Sequence, residues 1–356
     1  MTRREIFAAA GSAAFLSAFA PAVDAEAVPN PKGHLGMGGA PTAFSARNGG
    51  GRGGGGRGPR PFSDEFLEYC HNLGLGGAEM GPPPTDPEEI KKFRDKMQSY
   101  DMHVIFNIPL PRTDDDLPRF DSAVKAASEV GAYGLHAAMT NRRYEEFKTL
   151  EAYRKSFEQN QKTIALAEPV LRRYKVRLAI ENHKGWRAVE QAGWLKRVSS
   201  EYVGVHLDFG NNVSLCEDPM FTLETLKPWV FSGHIKDMGV QPYGDGFLLS
   251  EVPFGDGFLD LKKMVDVLRQ KDPNLALDLE MITREPLKVP VLTDQYWVTL
   301  EDIPGHQVAH IMDIVQNKAS KKSLPSIAGL DGPARKQLEE GYNLACIRYA
   351  RQYLGL

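Results

Sequence analysis

Along the chain, short runs rich in branched and apolar residues alternate with stretches whose apolar positions recur every three or four residues. The first pattern reads as buried β-strand and the second as amphipathic helix. Strands are predicted near His34–Phe44, Gly77–Met80, His103–Ile108, Gly134–Ala138, Val176–Asn182, Val203–Phe209, Val230–Lys236 and Leu275–Met281. Helices fall between them. One begins at Ser63, with Asp64 and Glu65 in its first turn; another follows the N-cap and N1 pair Asp86-Pro87; a long one covers about Leu150 to Tyr174. Strands that alternate with helices make a parallel sheet. Eight such units point to a closed (β/α)8 barrel over residues 33–318. The competing open doubly wound sheet lacks support, because no strand is followed by a Gly-x-Gly-x-x-Gly turn. Beyond Gly305 the pattern is helical. Leu338, Tyr342, Cys346 and Tyr349 mark a C-terminal helical extension, residues 319–356, packed on the outside of the barrel; a homo-oligomer contact is the alternative.

Composition narrows the class of protein. A length of 356 residues suits a barrel with insertions, and a formal net charge of −3 argues against a nucleic-acid surface. Three widely spaced cysteines, Cys70, Cys216 and Cys346, give neither a disulfide framework nor a thiolate metal site, although one bridging pair stays open. At the N-terminus Arg3-Arg4 precedes an uncharged run from Ile6 to Ala20, then Pro21 and small residues around Ala25. That order reads as a signal peptide over residues 1–25, of the twin-arginine type, and predicts export to the periplasm. The run is 15 residues long, short of the ~20 needed to span a bilayer. No membrane span is expected after cleavage. The tract Gly49–Gly58, with Arg52 and Arg57, reads as an insertion in the first βα loop, on the face where a lid would sit.

Chemistry concentrates at four strand ends. Each carries polar residues two apart: Glu181/His183, His206/Asp208, His234/Lys236 and Asp278/Glu280. Residues i and i+2 of a strand point the same way, so the four pairs aim into the barrel at its C-terminal end, where barrel active sites are built. Leu207, Ile235 and Leu279, between them, face the helices. A strand histidine alone is commonly a satisfied core residue, and a strand-end aspartate alone is commonly a helix cap; four pairs in order are neither. Converging buried carboxylates need neutralising, and one divalent cation does this. Three carboxylates with one imidazole suit Mn²⁺ first, with Mg²⁺, Co²⁺ or Zn²⁺ also within range.

The runs Leu178-Ala-Ile-Glu-Asn-His183, Gly204-Val-His-Leu-Asp-Phe-Gly-Asn211, Gly233-His-Ile-Lys-Asp237, Pro253-Phe-Gly-Asp-Gly257 and Leu277-Asp-Leu-Glu280 resemble the xylose-isomerase-like TIM-barrel superfamily, in its sugar phosphate isomerase/epimerase branch. The resemblance implies a single divalent metal held by Glu181, Asp208, His234 and Glu280. It implies proton abstraction next to a carbonyl through a metal-stabilised enediolate, with the two glutamates as acid and base. The epimerase pattern often has a histidine where this chain has Asn211. The Glu-Asn-His run also resembles relatives acting on 3-keto glycosides, which makes His183 a base or a hydrogen-bonding partner of the metal ligands. Lys236 either pairs with acids or touches substrate oxygens. Gly255 and Gly257 either approach the substrate or make a plain turn. Arg284 and Trp297, on the long segment after the last strand, are expected at the substrate, Trp297 by stacking; the alternative is a structural strap. Glu79, Asn107, His136 and Arg142 are further candidates for contact, as are His206 and Asn211. The functional reading is a metal-dependent isomerase or epimerase of a small carbohydrate. Its alternatives are a lyase cleaving 3-keto glycosides and a non-catalytic exported sugar-binding module. An abasic-site endonuclease is disfavoured by the acidic charge and only nine histidines.

Overall fold

The computed structural model describes residues 35–48 and 62–356. The proposed signal peptide, His34 and the Gly49–Gly58 tract therefore lie outside the described residues. Eight parallel strands close into a barrel: β1 (Gly38–Gly39), β2 (Gly77–Met80), β3 (His103–Asn107), β4 (Gly134–Ala137), β5 (Leu178–Glu181), β6 (Val203–Asp208), β7 (Val230–Ile235) and β10 (Ala276–Leu279). Each pairs with its neighbours, and β10 returns to β1. Strand β1 is far shorter than its sequence pattern suggests. Only Gly38 and Gly39 pair on both sides, after which the chain breaks into turns from Pro41 to Asn48.

The helices start where local chemistry dictates. Ser63 accepts from the Phe66 amide at the start of α1 (Asp64–Asn72), and Asp86 accepts from the Glu88 and Glu89 amides at the start of α2 (Pro87–Ser99). Helix α5 spans Leu150–Tyr174, capped by Thr149 and ended by Lys175 in the left-handed conformation. Outward-facing Leu207, Ile235 and Leu279 are fully buried in the main core between strands and helices. The C-terminal helix α11 (Gly332–Tyr349) joins that core through Cys346 and Ile347. All three cysteines are buried and unpaired.

The barrel interior is polar even at its base, where branched apolar side chains are the rule. His103 Nε2 and Asp278 Oδ1 meet at 2.8 Å across it. Two glycines make the room: a Cβ on Gly38 would lie 2.0 Å from Asp278 Oδ1, and one on Gly77 would lie 2.2 Å from the His103 ring.

One element is absent from the sequence reading. The connection after β7 is a β-hairpin, β8 (Asp237–Tyr243) and β9 (Gly246–Val252), joined by β11 (Leu287–Val289) as a three-stranded antiparallel sheet. It builds a second core with Tyr296, Leu300, Ile311 and Ile314. No helix among the described residues is long and apolar enough to cross a membrane.

Candidate metal centre

Strands β5, β6, β7 and β10 deliver Glu181, Asp208, His234 and Glu280 to one point. One ligand atom from each lies within 4.8 Å of the others, and all four residues are buried. The pairing explains the convergence: Glu181 is in register with His206, and Asp208 with His234, so inward-facing residues of adjacent strands stack in layers. His234 Nδ1 has no hydrogen-bond partner and lies 3.5 Å from Glu280 Oε2. An orphaned imidazole nitrogen beside three carboxylates fits a divalent ion of the hard-to-borderline class. Glu181, Asp208, His234 and Glu280 would hold it.

Several neighbours fix these groups. Lys236 is fully buried, with Nζ 2.6 Å from Asp208 Oδ2 and 2.5 Å from Glu280 Oε2. Burial works against its charge, but Asp208, Glu280 and Glu251 outweigh burial and keep it protonated. Its close acidic partners are Asp208 and Glu280 rather than Asp237. Burial also drives the Asp208 carboxyl up to about 6, against Lys236 and with Glu280 and Glu181 adding to the rise. For Glu280 burial is overcome by His234 and Lys236, which hold the carboxyl well below the usual range.

Asn211 is buried and donates to Glu181 Oε1 at 2.7 Å, while its carbonyl accepts from Lys184 Nζ. It thus braces a carboxylate, a task the sequence reading did not assign to it. Lys184 was absent from that reading; burial, aided by Lys236 and Arg284, lowers its pKa to about 8. His183 is half-buried, and its Nδ1 donates to the Thr140 carbonyl at 2.7 Å. That bond assigns the proton to Nδ1 and leaves a lone pair on Nε2. Burial, aided by Lys184 and opposed by Glu181, lowers the His183 pKa to about 4.

Other expected contacts fall elsewhere. Glu79 is buried among Asn107 Nδ2 at 2.6 Å, His234 Nε2 at 2.9 Å and His136 Nδ1 at 3.2 Å. Such a carboxylate orients a ligating histidine. His206 is fully buried on Ser232 Oγ at 2.8 Å. Arg284 reaches the centre but spends its donors on Glu251, at 2.7 and 3.2 Å. Glu251, from β9, is fully buried, lies 3.7 Å from Lys236 Nζ, and was missed. Trp297 sits in the second core, its indole N–H on the Val291 carbonyl and its ring 5.0 Å from that of Tyr296. Trp297 stays half-buried, and the two rings meet edge to face, at 76°. Arg142 pairs with exposed Glu145. The Gly255 and Gly257 amides both donate to Asp237 Oδ2, at 2.9 and 3.0 Å, so their close backbone approach is to that carboxylate. From the other side of the barrel, Thr42 donates to Glu280 Oε1 at 2.9 Å. The loop carrying it is held by α11: Glu339 accepts from Ser45, Ala46 and Arg47, and Asn343 donates to Ala43.

Residues 67–301 match the family model described as the xylose isomerase-like TIM barrel. No curated protein sequence matches the chain. Solved structures share the fold at low identity. A D-psicose 3-epimerase is 14% identical, with a TM-score of 0.52, covering 90% of this chain and 100% of its own. The probable 3-DHS dehydratase of petrobactin synthesis from Bacillus anthracis is 11% identical, with a TM-score of 0.52, covering 80% and 100%. A 3-keto-D-glucoside 4-epimerase from E. coli is 13% identical, with a TM-score of 0.50, covering 79% and 99%.

Proposed function

Because this chain belongs to the xylose isomerase-like TIM-barrel family, we propose that it is a divalent-metal-dependent isomerase or epimerase of a small carbohydrate. The observation that carries this reading is the convergence of Glu181, Asp208, His234 and Glu280 at the C-terminal ends of four strands. Manganese is the favoured ion for this donor set, with magnesium, cobalt and zinc behind it. When bound, the ion supplies Lewis-acid polarisation of the substrate carbonyl and its neighbouring hydroxyl.

The chain's own groups then move the proton. His183 Nε2 presents an unprotonated nitrogen at the mouth of the barrel, and takes the proton from the carbon next to the carbonyl. Its Nδ1–H, fixed on the Thr140 carbonyl, holds the ring in that tautomer through the transfer. Lys236 sits between Asp208 and Glu280 and returns a proton, directly or through Glu280. Asn211 keeps Glu181 from rotating, and Glu251, paired with Arg284, adds a negative charge beside Lys236. Return of the proton to carbon from the opposite face gives an epimer; return to the neighbouring carbon gives an isomer.

A second reading has its own support. With a protonated Lys236 beside the centre and Asn211 in place of a histidine, a β-substituent could leave before the proton returns, which makes the enzyme a lyase on 3-keto glycosides. The two are separated by incubating the protein with free ketoses and 3-keto glycosides in heavy water. Deuterium wash-in with products of otherwise unchanged composition supports the isomerase; release of an aglycone supports the lyase; no exchange with any substrate, despite bound metal, favours a sugar-binding module. We also propose export, on Arg3-Arg4 and the apolar run that follows. Export favours a sugar without a phosphate.

A further inference from the structure

Directly beneath the metal centre lies a second set of ligands. Glu79 of β2, His136 of β4, His206 of β6 and His234 of β7 are all buried, and one ligand atom from each lies within 4.8 Å of the others. The imidazoles are packed against one another, with ring centroids 4.1 Å apart for His136–His206, 4.1 Å for His206–His234 and 5.1 Å for His136–His234. A barrel of this class fills that layer with branched apolar side chains. We propose that these four residues bind a second divalent cation, of the imidazole-preferring class represented by Zn²⁺ and Co²⁺, and that it competes with the upper ion for His234.

The independent observation is His206. It is fully buried, its Nδ1 bonds Ser232 Oγ at 2.8 Å, and its Nε2 has no partner. With Nδ1–H donating to the serine, Nε2 turns a lone pair into the cluster. Leaving a buried nitrogen unpaired is unfavourable, and an ion at that point gives it a partner. Three imidazoles and one carboxylate favour borderline ions over the harder Mn²⁺ or Mg²⁺, whereas the upper set, with three carboxylates and one imidazole, leans the other way. The two sets therefore differ in metal preference as well as in position.

Competition follows from His234. Its Nε2 lies 2.9 Å from Glu79 Oε2, on the lower side, and its Nδ1 lies 3.5 Å from Glu280 Oε2, on the upper. A neutral imidazole has one lone pair. When Nδ1 ligates above, Nε2–H donates to Glu79, which then only orients the ring. When Nε2 ligates below, Glu79 becomes a ligand and the upper ion loses its imidazole.

The test uses the full-length protein, stripped with a chelator, reloaded with Mn²⁺ and titrated with Co²⁺. Visible absorption follows bound cobalt, and electron paramagnetic resonance follows released manganese. The wild type should take up cobalt at a site whose spectrum reports imidazole ligation, with manganese released in step. His206→Asn should abolish that spectrum and raise the cobalt needed to release manganese at least tenfold. Glu280→Gln should weaken manganese binding while the cobalt spectrum persists, which separates failure of the lower site from failure of the upper. Identical cobalt titrations and identical manganese release for wild type and His206→Asn would overturn the proposal and leave the histidines as hydrogen-bonded packing. If His206→Asn does not fold, zinc anomalous scattering from wild-type crystals decides: a peak among Glu79, His136, His206 and His234 supports the site, and a peak confined to the upper four residues rejects it.

Discussion

The two halves of the barrel contribute to its centre in different ways. Strands β5, β6, β7 and β10 each end in a pair of polar residues and deliver all four residues of the candidate upper metal set. Strands β1 to β4 deliver none of those. They supply glycines that make room, Glu79 that holds His234 by hydrogen bonding and is itself held by Asn107, and Thr42 that reaches Glu280 from the loop after β1. The contrast teaches that one half sets the chemistry and the other sets the orientation of the groups that perform it. Changes in the first half should therefore abolish activity, and changes in the second should cost fold stability or precision.

The largest effect is expected from Glu181→Gln. It removes a carboxylate ligand, and should reduce bound metal and turnover by more than the roughly 10–100-fold typical of groups that only orient ligands. Metal analysis together with kcat/KM checks it, and full metal content with normal turnover would break the contrast. Next comes Asn211→Ala, which leaves Glu181 in place but without its brace. Metal affinity should fall by about 10–100-fold, measurable by competition with a chelating dye. In the quieter half, Gly77→Ala places a methyl 2.2 Å from the His103 ring. Overpacking of this kind costs about 1–3 kcal/mol, which denaturant unfolding should register while the metal content of the folded fraction is unchanged. The smallest effect belongs to Thr42→Val. Losing one hydrogen bond to Glu280 costs about 1 kcal/mol of stability, so denaturant unfolding should shift by that amount while kcat/KM drops by no more than severalfold.

The same division explains what the sequence made legible. In the chemical half the residues come as i and i+2 pairs at strand ends, a pattern that parity alone turns into a cluster. In the other half single residues act: Glu79 looks like any strand glutamate until its contact with His234, 155 positions away, is known. Glu251 was hidden for a related reason. It is a single acid at the end of the face that carries Phe247 and Leu249, with no polar partner two residues away, and only the fold sets it against Lys236 and Arg284. The hairpin carrying it did have a signal, the Gly244-Asp245 pair between two runs with apolar alternation, which is the two-residue turn between β8 and β9. Trp297 shows the opposite ambiguity: an aromatic residue on a long connection suits a sugar platform and a second core equally, and here it packs, half-buried, against the apolar side chains of β8, β9 and α10 (Gly305–Asn317). Lys184 follows the Glu-Asn-His run directly and carries no sequence signal of its own, yet the turn at Gly185 folds it back onto Asn211.

The account rests on the upper four residues holding an ion that the proton chemistry needs. Metal content and deuterium wash-in, measured on the same samples of wild type and Glu280→Gln over a panel of free ketoses and 3-keto glycosides, test this most directly. The account predicts about one bound ion of the manganese class in the upper site of the wild type and exchange of a substrate C–H, with both lost in the variant. Metal retained by Glu280→Gln together with undiminished exchange would contradict it.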